Sequence, residues 1–326
     1  MGNKRLYSGL AAALGMFVLI LDSQTALQGA AEGLDLCIRS VIPSLFPFFL
    51  LSGILVSSLI GMTFPLLRPV GRILGIPEGA ESLLISGFLG GYPVGAKSIR
   101  DAWANGYISK EDAQRMLAFC CNAGPAFLFG MAAPLFSGRT TGWALWAIHI
   151  LSAVMIGCIL PGKSCDRVVF KQNNLPNITR QLMDTLKVTA QVCGWIVLFR
   201  ILLNYLDRWF LWYFPVWGQV SIRGLLELAN GCLSLSEISS EGIRFLLCEA
   251  MLSFGGCCVA LQTISVTPGL SLKHYFMGKL GQPILSLFFS AIYLGAISPL
   301  WIFGFLPLFL WKKKRKNSSI PVLLRV

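Results

Sequence analysis

Glycine and proline interrupt three apolar stretches of the 326-residue chain at positions where a ligand site could form. The first interruption is the run Gly-Gly-Tyr-Pro at residues 90–93. A Gly-Gly-Tyr-Pro run disfavours the continuation of a helix, and proline suits the first turn of a new one, so a helix is predicted to restart at Pro93. A helix that starts inside a membrane directs unpaired N–H groups and the positive end of its dipole at a ligand. Lys97, one turn later, would add a full positive charge, or would instead extend to the cytoplasmic surface.

The second interruption is the run Asn-Ala-Gly-Pro at residues 122–125. It falls in a segment whose helix is predicted to begin after Ser109, because Ser-x-x-Asp is a capping pattern. Unwound backbone at membrane depth is tolerated only where it is buried in protein or lines a cavity. Asn122 could therefore bind a ligand through its amide, or it could cap the local backbone.

The third interruption is the Gly-Gly pair at residues 255–256, which aligns with the pair at 90–91 at an offset of 165 residues. Gln262 then lies opposite Lys97. The tips of these segments are expected to meet, and if the helices that restart at Pro93 and Pro125 both direct their N-termini inward, the site favours an anion. The predicted substrate contacts are Gly90, Gly91, Tyr92, Pro93, Gly95 and Lys97 in the first segment, Asn122, Gly124 and Pro125 in the second, and Gly255, Gly256 and Gln262 in the third.

Further polar residues lie within or beside apolar sequence. Glu249 is a candidate for coupling transport to protons, since an intramembrane carboxylate is a functional candidate by default. Arg200 is its candidate partner, which would make the pair structural instead. Glu227 and Asn230 are predicted to be outer-loop residues, with lining of a pathway as the alternative, and His149 is predicted to be a packing residue.

The composition places these residues in a membrane protein. Apolar residues make up 55% of the chain and charged residues 13%, and the mean hydropathy is +0.68. A soluble domain carries roughly 25% charged residues. The net charge of +12 would suggest a polyanionic partner in a soluble protein, but in so apolar a chain it indicates membrane orientation. No nucleic-acid partner is expected.

The predicted fold is an all-α polytopic membrane protein with about six transmembrane helices and two re-entrant helical hairpins. Each hairpin arm of about ten residues spans about half a bilayer. Three spans and one hairpin per half give two repeats of opposite orientation, about 6–136 and about 142–311, in one transporter-like domain over 1–311. The predicted spans are 6–21, 41–60, 116–136, 142–161, 188–206 and 280–311, and the predicted hairpins are 82–104 and 243–266.

The basic residues predict the orientation. A run of five Lys and Arg residues at 312–316 opens a basic tail over 312–326, which is predicted to be cytoplasmic. Lys4 and Arg5 place the N-terminus on the same side, and the basic excess of the connections also falls there. The segment 6–21 is read as an uncleaved anchor, with a signal peptide as the alternative.

Catalytic and metal chemistry are not expected. The ten cysteines fall mostly in apolar segments and form no C-x-x-C pattern, so packing is their expected role. No cluster of His, Asp and Ser or of metal ligands has a useful spacing, and no nucleotide-binding loop is present. The chain is predicted not to be an enzyme and to need no cofactor or metal.

The motifs at 90–97, 106–113, 119–127 and 254–262 resemble the YlbJ (stage V sporulation protein V) family of sporulation integral membrane proteins. This family belongs to the nucleoside-recognition or Gate domain group, and the resemblance covers roughly residues 35–300. It implies a role in endospore formation and the movement of dipicolinic acid from the mother cell toward the forespore. The wider group resembles concentrative nucleoside transporters with paired hairpins.

The expected function is that of a secondary transporter or facilitator of a small organic anion, with dipicolinic acid as the implied substrate. A nucleoside-type solute and a non-transporting structural role in the sporulation membrane remain as alternatives. A transporter of this kind should hold a polar cavity bounded by 90–97, 122–125 and 255–262. The expected location is the inner membrane, multi-pass, with the outer forespore membrane as the site that the resemblance implies. A homo-oligomer is left open.

Overall fold

A computed structural model describes residues 2–160 and 177–301, and within these ranges the chain forms helices and no β-strand element. The predicted all-α class is confirmed. The α-helices are α1 (Gly2–Leu21), α2 (Ser23–Leu36), α3 (Ile42–Leu59), α4 (Arg68–Leu74), α5 (Ser82–Ile85), α6 (Val94–Ala104), α7 (Lys110–Met116), α8 (Pro125–Phe127), α9 (Thr141–Ile159), α10 (Ile178–Trp209), α11 (Val216–Leu226), α12 (Leu228–Ser234), α13 (Glu241–Phe254), α14 (Gly256–Val266) and α15 (Lys273–Tyr293). Five-residue π-helical turns add Cys37–Val41, Ser86–Gly90 and Leu128–Ala132, and short 3₁₀ turns add Ala133–Leu135, Leu211–Tyr213 and Leu235–Glu237.

Four helical stretches among the described residues are long and apolar enough to cross a membrane. Shorter apolar helices cover Gly9–Leu21 and Pro125–Leu135. Large apolar side chains lie exposed on several of these helices, which is the exterior expected of a chain in contact with lipid. The four stretches are Ser23–Leu59, Thr141–Ile159, Ile178–Trp209 and Glu241–Val266.

Three of the predicted spans differ from the helices observed. The span at 41–60 is the second part of a helix that begins at Ser23, because the π-helical turn joins α2 and α3 without a break. The span at 116–136 resumes at Pro125 as predicted, but its interruption is longer than the predicted 122–125, because α7 already ends at Met116. The span at 280–311 begins earlier, at Lys273, and its residues 302–311 lie outside the described residues, as does the tail 312–326.

The segment 82–104 folds back on itself. Its first arm is α5 with the following π-helical turn, and its second arm is α6, which begins after Pro93. The arms touch because glycine lies on both: a Cβ added at Gly95 would lie 2.9 Å from the Cα of Gly87. We call this segment hairpin 1.

The segment 243–266 was predicted to be the second hairpin, and this prediction is wrong. Helices α13 and α14 do not lie side by side across Gly255, whereas α11 and α12 do so across Glu227. Glycine explains the difference, because a Cβ added at Gly231 would lie 2.2 Å from the Cα of Gly224. We call Val216–Leu226 with Leu228–Ser234 hairpin 2.

The two halves then share one order of elements: a long helix, a hairpin, a broken helix and another long helix. The broken helices are α7 with α8, interrupted at 117–124, and α13 with α14, interrupted at Gly255. The first long helix of each half packs against the other, α2 against α10. A Cβ added at Gly29 or Gly33 would lie 2.8 or 2.9 Å from a Cα atom of α10, so glycine permits this close approach.

Candidate functional site

The tip of hairpin 1 touches the interruptions of both broken helices. A Cβ added at Gly91 would lie 2.9 Å from the backbone nitrogen of Gly124, so the tip contacts the first interruption through backbone. Tyr92 reaches the second, where its hydroxyl donates a hydrogen bond to the carbonyl oxygen of Leu252. A Cβ added at Gly255 would lie 3.4 Å from the Tyr92 hydroxyl oxygen. The three segments expected to meet therefore do meet.

Five buried polar residues form a connected group at this meeting point. We call Tyr92, Asn122, His149, Lys279 and Gln282 the polar junction. The Lys279 ammonium lies 4.9 Å from the centre of the Tyr92 ring and 3.5 Å from the Gln282 side-chain oxygen. Gln282 donates to the Asn122 side-chain oxygen at 3.2 Å and to the His149 carbonyl oxygen at 3.3 Å. Hairpin 1, through Tyr92, and the first broken helix, through Asn122, are thus connected to α9 and α15.

Lys279 is the unusual member, because its side chain is only 2% exposed. Its ammonium donates to the carbonyl oxygen of Ser253 at 3.2 Å, in the last turn of α13. No carboxylate within residues 2–160 and 177–301 forms an ion pair with it. Buried charges are normally paired, so an ammonium held by neutral oxygens and an aromatic face leaves positive charge uncompensated.

Three nearby groups are buried without a hydrogen-bond partner among the described residues: His149 Nδ1, both carboxylate oxygens of Glu249, and Ser253 Oγ. His149 Nε2 accepts a hydrogen bond from the Ala123 backbone N–H at 3.1 Å, so the ring proton of a neutral imidazole is on Nδ1. Buried polar groups usually have a protein, water or ligand partner. The surroundings of the polar junction are therefore suited to a polar ligand.

Two of the predicted site residues, although they have long polar side chains, lie outside the polar junction. The Lys97 ammonium pairs with the Asp101 carboxylate at 2.8 Å, one turn further along α6, and its side chain is 29% exposed. Lys97 is therefore part of an ion-pair cluster, in which the Asp101 carboxylate also pairs with Arg100 at 2.8 Å. Gln262 is buried on α14 and donates to the Cys258 sulfur at 3.3 Å. No hydrogen bond described for either residue joins it to the polar junction.

The remaining predicted residues shape the backbone around it. Pro93 precedes the first residue of α6, and Pro125 is the first residue of α8, so both helix restarts fall where predicted. Three glycines allow close packing. A Cβ added at Gly90 would lie 3.1 Å from a side-chain atom of Val94, and one added at Gly95 would lie 2.3 Å from the Cys120 carbonyl oxygen. A Cβ added at Gly256 would lie 3.1 Å from a carbonyl oxygen of α11.

Sequence reasoning missed Lys279 and Gln282, because it ended the outer connection at residue 279 and began an apolar span at 280. A signal was present. Polar residues recur on α15 at spacings of three and four, which is the helical period, and every one of them is buried. The stripe consists of Tyr275, Lys279, Gln282, Ser286 and Ser290.

A second polar network, only partly buried, joins hairpin 2 to the α2–α10 pair and corrects two predictions. Arg200 pairs with Glu32 at 2.6 Å and donates to the Asn230 side-chain oxygen at 2.9 Å, so its partner is not Glu249. Glu227 and Asn230 are buried and are not loop residues. The Glu227 carboxylate accepts the backbone N–H groups of residues 229 and 230, and so it caps the start of α12.

Replacing Glu227 by alanine should lower the free energy of unfolding by about 1–3 kcal/mol, because α12 loses its N-cap and Asn230 loses a charged partner. Thermal unfolding in detergent measures this. Glu241→Ala, which removes an exposed glutamate from the first turn of α13, is the control and should cost about 0.5 kcal/mol or less. Equal losses for both variants would contradict the capping role.

The cavities described lie beside this second network. One of about 740 Å³ is lined by residues that include Glu32, Arg200 and Asn230, and a smaller one of about 350 Å³ adjoins it. The expected cavity bounded by 90–97, 122–125 and 255–262 is not among them, because those segments pack directly against one another. Among the described residues, no three His, Cys, Asp or Glu side chains are grouped to hold a metal ion, and every cysteine is a free thiol.

Comparison with known proteins gives one informative match. The sporulation integral membrane protein YlbJ of Bacillus subtilis (strain 168) is 23% identical over 321 aligned positions, which cover 83% of this chain and 78% of that protein. No family model matches the chain, and no solved structure matches it significantly. The apolar helices and this integral membrane relative place the chain in a membrane. The match extends over most of both proteins and agrees with the motifs, so the chain is similar to this sporulation integral membrane protein along most of its length.

Proposed function

We propose that the chain is a secondary transporter or facilitator of a small organic anion in a membrane of the sporulating cell. The observation that carries this proposal is the Lys279 ammonium, which is buried without a carboxylate partner among the described residues where hairpin 1 meets both broken helices. A mobile anion would supply the missing negative charge. Interrupted helices lower stability, and a ligand pathway accounts for them better than a scaffold does.

We propose dipicolinate as the substrate. It is a planar dicarboxylate, and the YlbJ resemblance implies it. The polar junction offers two donors that suit carboxylate oxygens, the Lys279 ammonium and the partnerless Nδ1–H of His149. The aromatic face of Tyr92 lies beside the ammonium and suits a flat ring.

The proposed architecture has about six spans and an inverted repeat of re-entrant hairpins, with both termini cytoplasmic. The shared order of elements in the two halves supports this architecture, in which hairpin 2 covers 216–234. Helix α12 packs on the π-helical turn at Leu128–Ala132, as α6 packs on α14, so each hairpin contacts the broken helix of the other half. The tight packing of the polar junction corresponds, in this proposal, to a closed state that opens toward either face in turn.

Uptake into vesicles that contain the purified chain tests the function. We expect labelled dipicolinate to accumulate and unlabelled dicarboxylates of similar size to compete. Vesicles without protein are the control. No uptake of dipicolinate or of any related anion by a correctly folded sample would leave the chain as a non-transporting membrane protein of sporulation.

A nucleoside-type solute is the second candidate, and one observation favours it. Asn122 and Gln282 supply two amides that are bonded to each other, and Gln282 also accepts from the Lys279 ammonium that lies over the Tyr92 ring. Amides and an aromatic face in one group could bind a neutral heterocycle through hydrogen bonds and stacking. Labelled nucleosides belong in the same uptake assay. Nucleoside uptake without dipicolinate uptake would select this candidate.

Glu249 is the proposed proton-coupling residue. Its carboxylate is fully buried and has no hydrogen-bond partner among the described residues, a state that is costly when it is ionised. We expect Glu249→Gln to transport dipicolinate with a flat dependence on pH, because the amide cannot exchange a proton. Ser253→Ala, one turn later on α13, is the control and should keep the wild-type pH profile. An unchanged profile in Glu249→Gln would remove the coupling role.

A further inference from the structure

The interruption at Gly255 leaves the last carbonyl groups of α13 without helical partners, and two side chains from other elements occupy them. The Tyr92 hydroxyl donates to the Leu252 carbonyl oxygen, and the Lys279 ammonium donates to the Ser253 carbonyl oxygen at 3.2 Å. Carbonyl oxygens at the C-terminal end of a half-helix carry the negative end of the helix dipole. In secondary transporters such unwound carbonyls coordinate the coupling cation.

The surroundings of the Lys279 ammonium have the composition of a monovalent cation site. It faces a backbone carbonyl oxygen, the Gln282 side-chain oxygen at 3.5 Å and the face of the Tyr92 ring at 4.9 Å. All three are electron-rich and neutral, and the nearest described groups include no carboxylate bonded to it. Two neutral oxygens and an aromatic face beside a positive charge are groups that a sodium or potassium ion also accepts.

We propose that Lys279 permanently occupies the cation position of this broken helix, so that the transport proposed above needs no sodium or potassium ion. The inference rests on the proposed function for its consequence, but the cation position itself can be tested without transport. The covalently attached ammonium fixes the α13 carbonyl and supplies the charge that attracts the anion. In a cation-coupled protein, an alkali ion that entered with the substrate would bind the carbonyl and supply the positive charge instead.

The first test is thermal unfolding of the purified chain in sodium, potassium or choline chloride at constant ionic strength. Wild type should unfold at the same temperature in all three salts. Lys279→Ala removes the ammonium and leaves space among the same oxygens, so sodium or potassium should stabilise it saturably. The expected rise in Tm is about 2–4 °C at an ion concentration about ten times the dissociation constant.

Two matched variants make this result specific. Lys279→Met fills the space with an apolar side chain and should show no response to alkali ions. Lys273→Ala removes an exposed lysine from the same helix and should also show none. Stabilisation of wild type by sodium over choline, or a folded Lys279→Ala that does not respond to any alkali ion, would overturn the proposal.

The second test keeps the proposal falsifiable if Lys279→Ala does not fold. Dipicolinate uptake by wild-type vesicles should be unchanged when choline replaces sodium and potassium on both sides. Uptake that falls tenfold or more without alkali ions would overturn the proposal while it leaves the transport function standing. A wild-type chain that transports nothing would overturn the proposed function, and the salt dependence of unfolding would still decide the role of Lys279.

Discussion

Lys279→Met should lower dipicolinate transport by about ten- to a hundredfold while the chain stays folded. Methionine keeps much of the length and volume of the lysine side chain, so the packing of α15 against α13 changes little. The variant loses a buried, charged hydrogen bond to the anion, which contributes about 1.5–3 kcal/mol to the free energy of binding. Transport at limiting dipicolinate, measured in vesicles of known protein content, reports this loss.

Variants of two other lysines test whether the loss is specific to the charge in the polar junction. Lys273→Met, on the exposed part of the same helix, should leave transport at the wild-type level. Lys97→Met tests the residue that the sequence motif favoured. The Lys97 ammonium pairs with Asp101, and solvent-accessible ion pairs of this type contribute well under 1 kcal/mol to stability. A larger loss in Lys97→Met than in Lys279→Met would assign substrate binding to Lys97 and refute the role given to the polar junction.

The sequence was most informative where backbone chemistry decides the structure. Glycine and proline restrict which conformations are favourable whatever surrounds them, so the restarts at Pro93 and Pro125 and the cap at Ser109 follow from local rules. The close contact of Gly91 with Gly124 was predicted only as a meeting of segments. Its closeness, which would leave an added Cβ at Gly91 only 2.9 Å from the Gly124 nitrogen, depends on tertiary packing.

Positions that depend on long-range packing were predicted poorly. Lys279 lies at the edge of an apolar run, and charge at such an edge usually marks a loop. Only the spacing of the polar residues on α15 could have indicated an inward face. Arg200 was paired with Glu249 because both lie in apolar sequence, yet its partner Glu32 is 168 residues away in the chain, on a helix read as a connection. The fold-back across Glu227 depends on the contact between Gly224 and Gly231, which no local pattern specifies.

The second large effect is expected at the tip of hairpin 1. Gly91→Ala should lower the free energy of unfolding by about 2–5 kcal/mol and abolish transport. Gly91 has φ +75° and ψ −175°, a region essentially confined to glycine, and a Cβ there would lie 2.9 and 3.0 Å from two backbone atoms of Gly124. Strain of this kind costs about 1–3 kcal/mol, and overpacking costs a similar amount.

Gly106→Ala is the matched control for that substitution. Gly106 also has φ +75°, but nothing lies within 4 Å of an added Cβ, so the variant carries backbone strain without a contact. We expect a loss of about 1–2 kcal/mol and nearly normal transport. Because Gly91 holds Tyr92 against α13, the excess effect of Gly91→Ala measures how strongly the polar junction depends on the close approach of hairpin 1. Equal effects at the two glycines would show that the tip tolerates a side chain, and the contact between hairpin 1 and the first broken helix would then not be required for function.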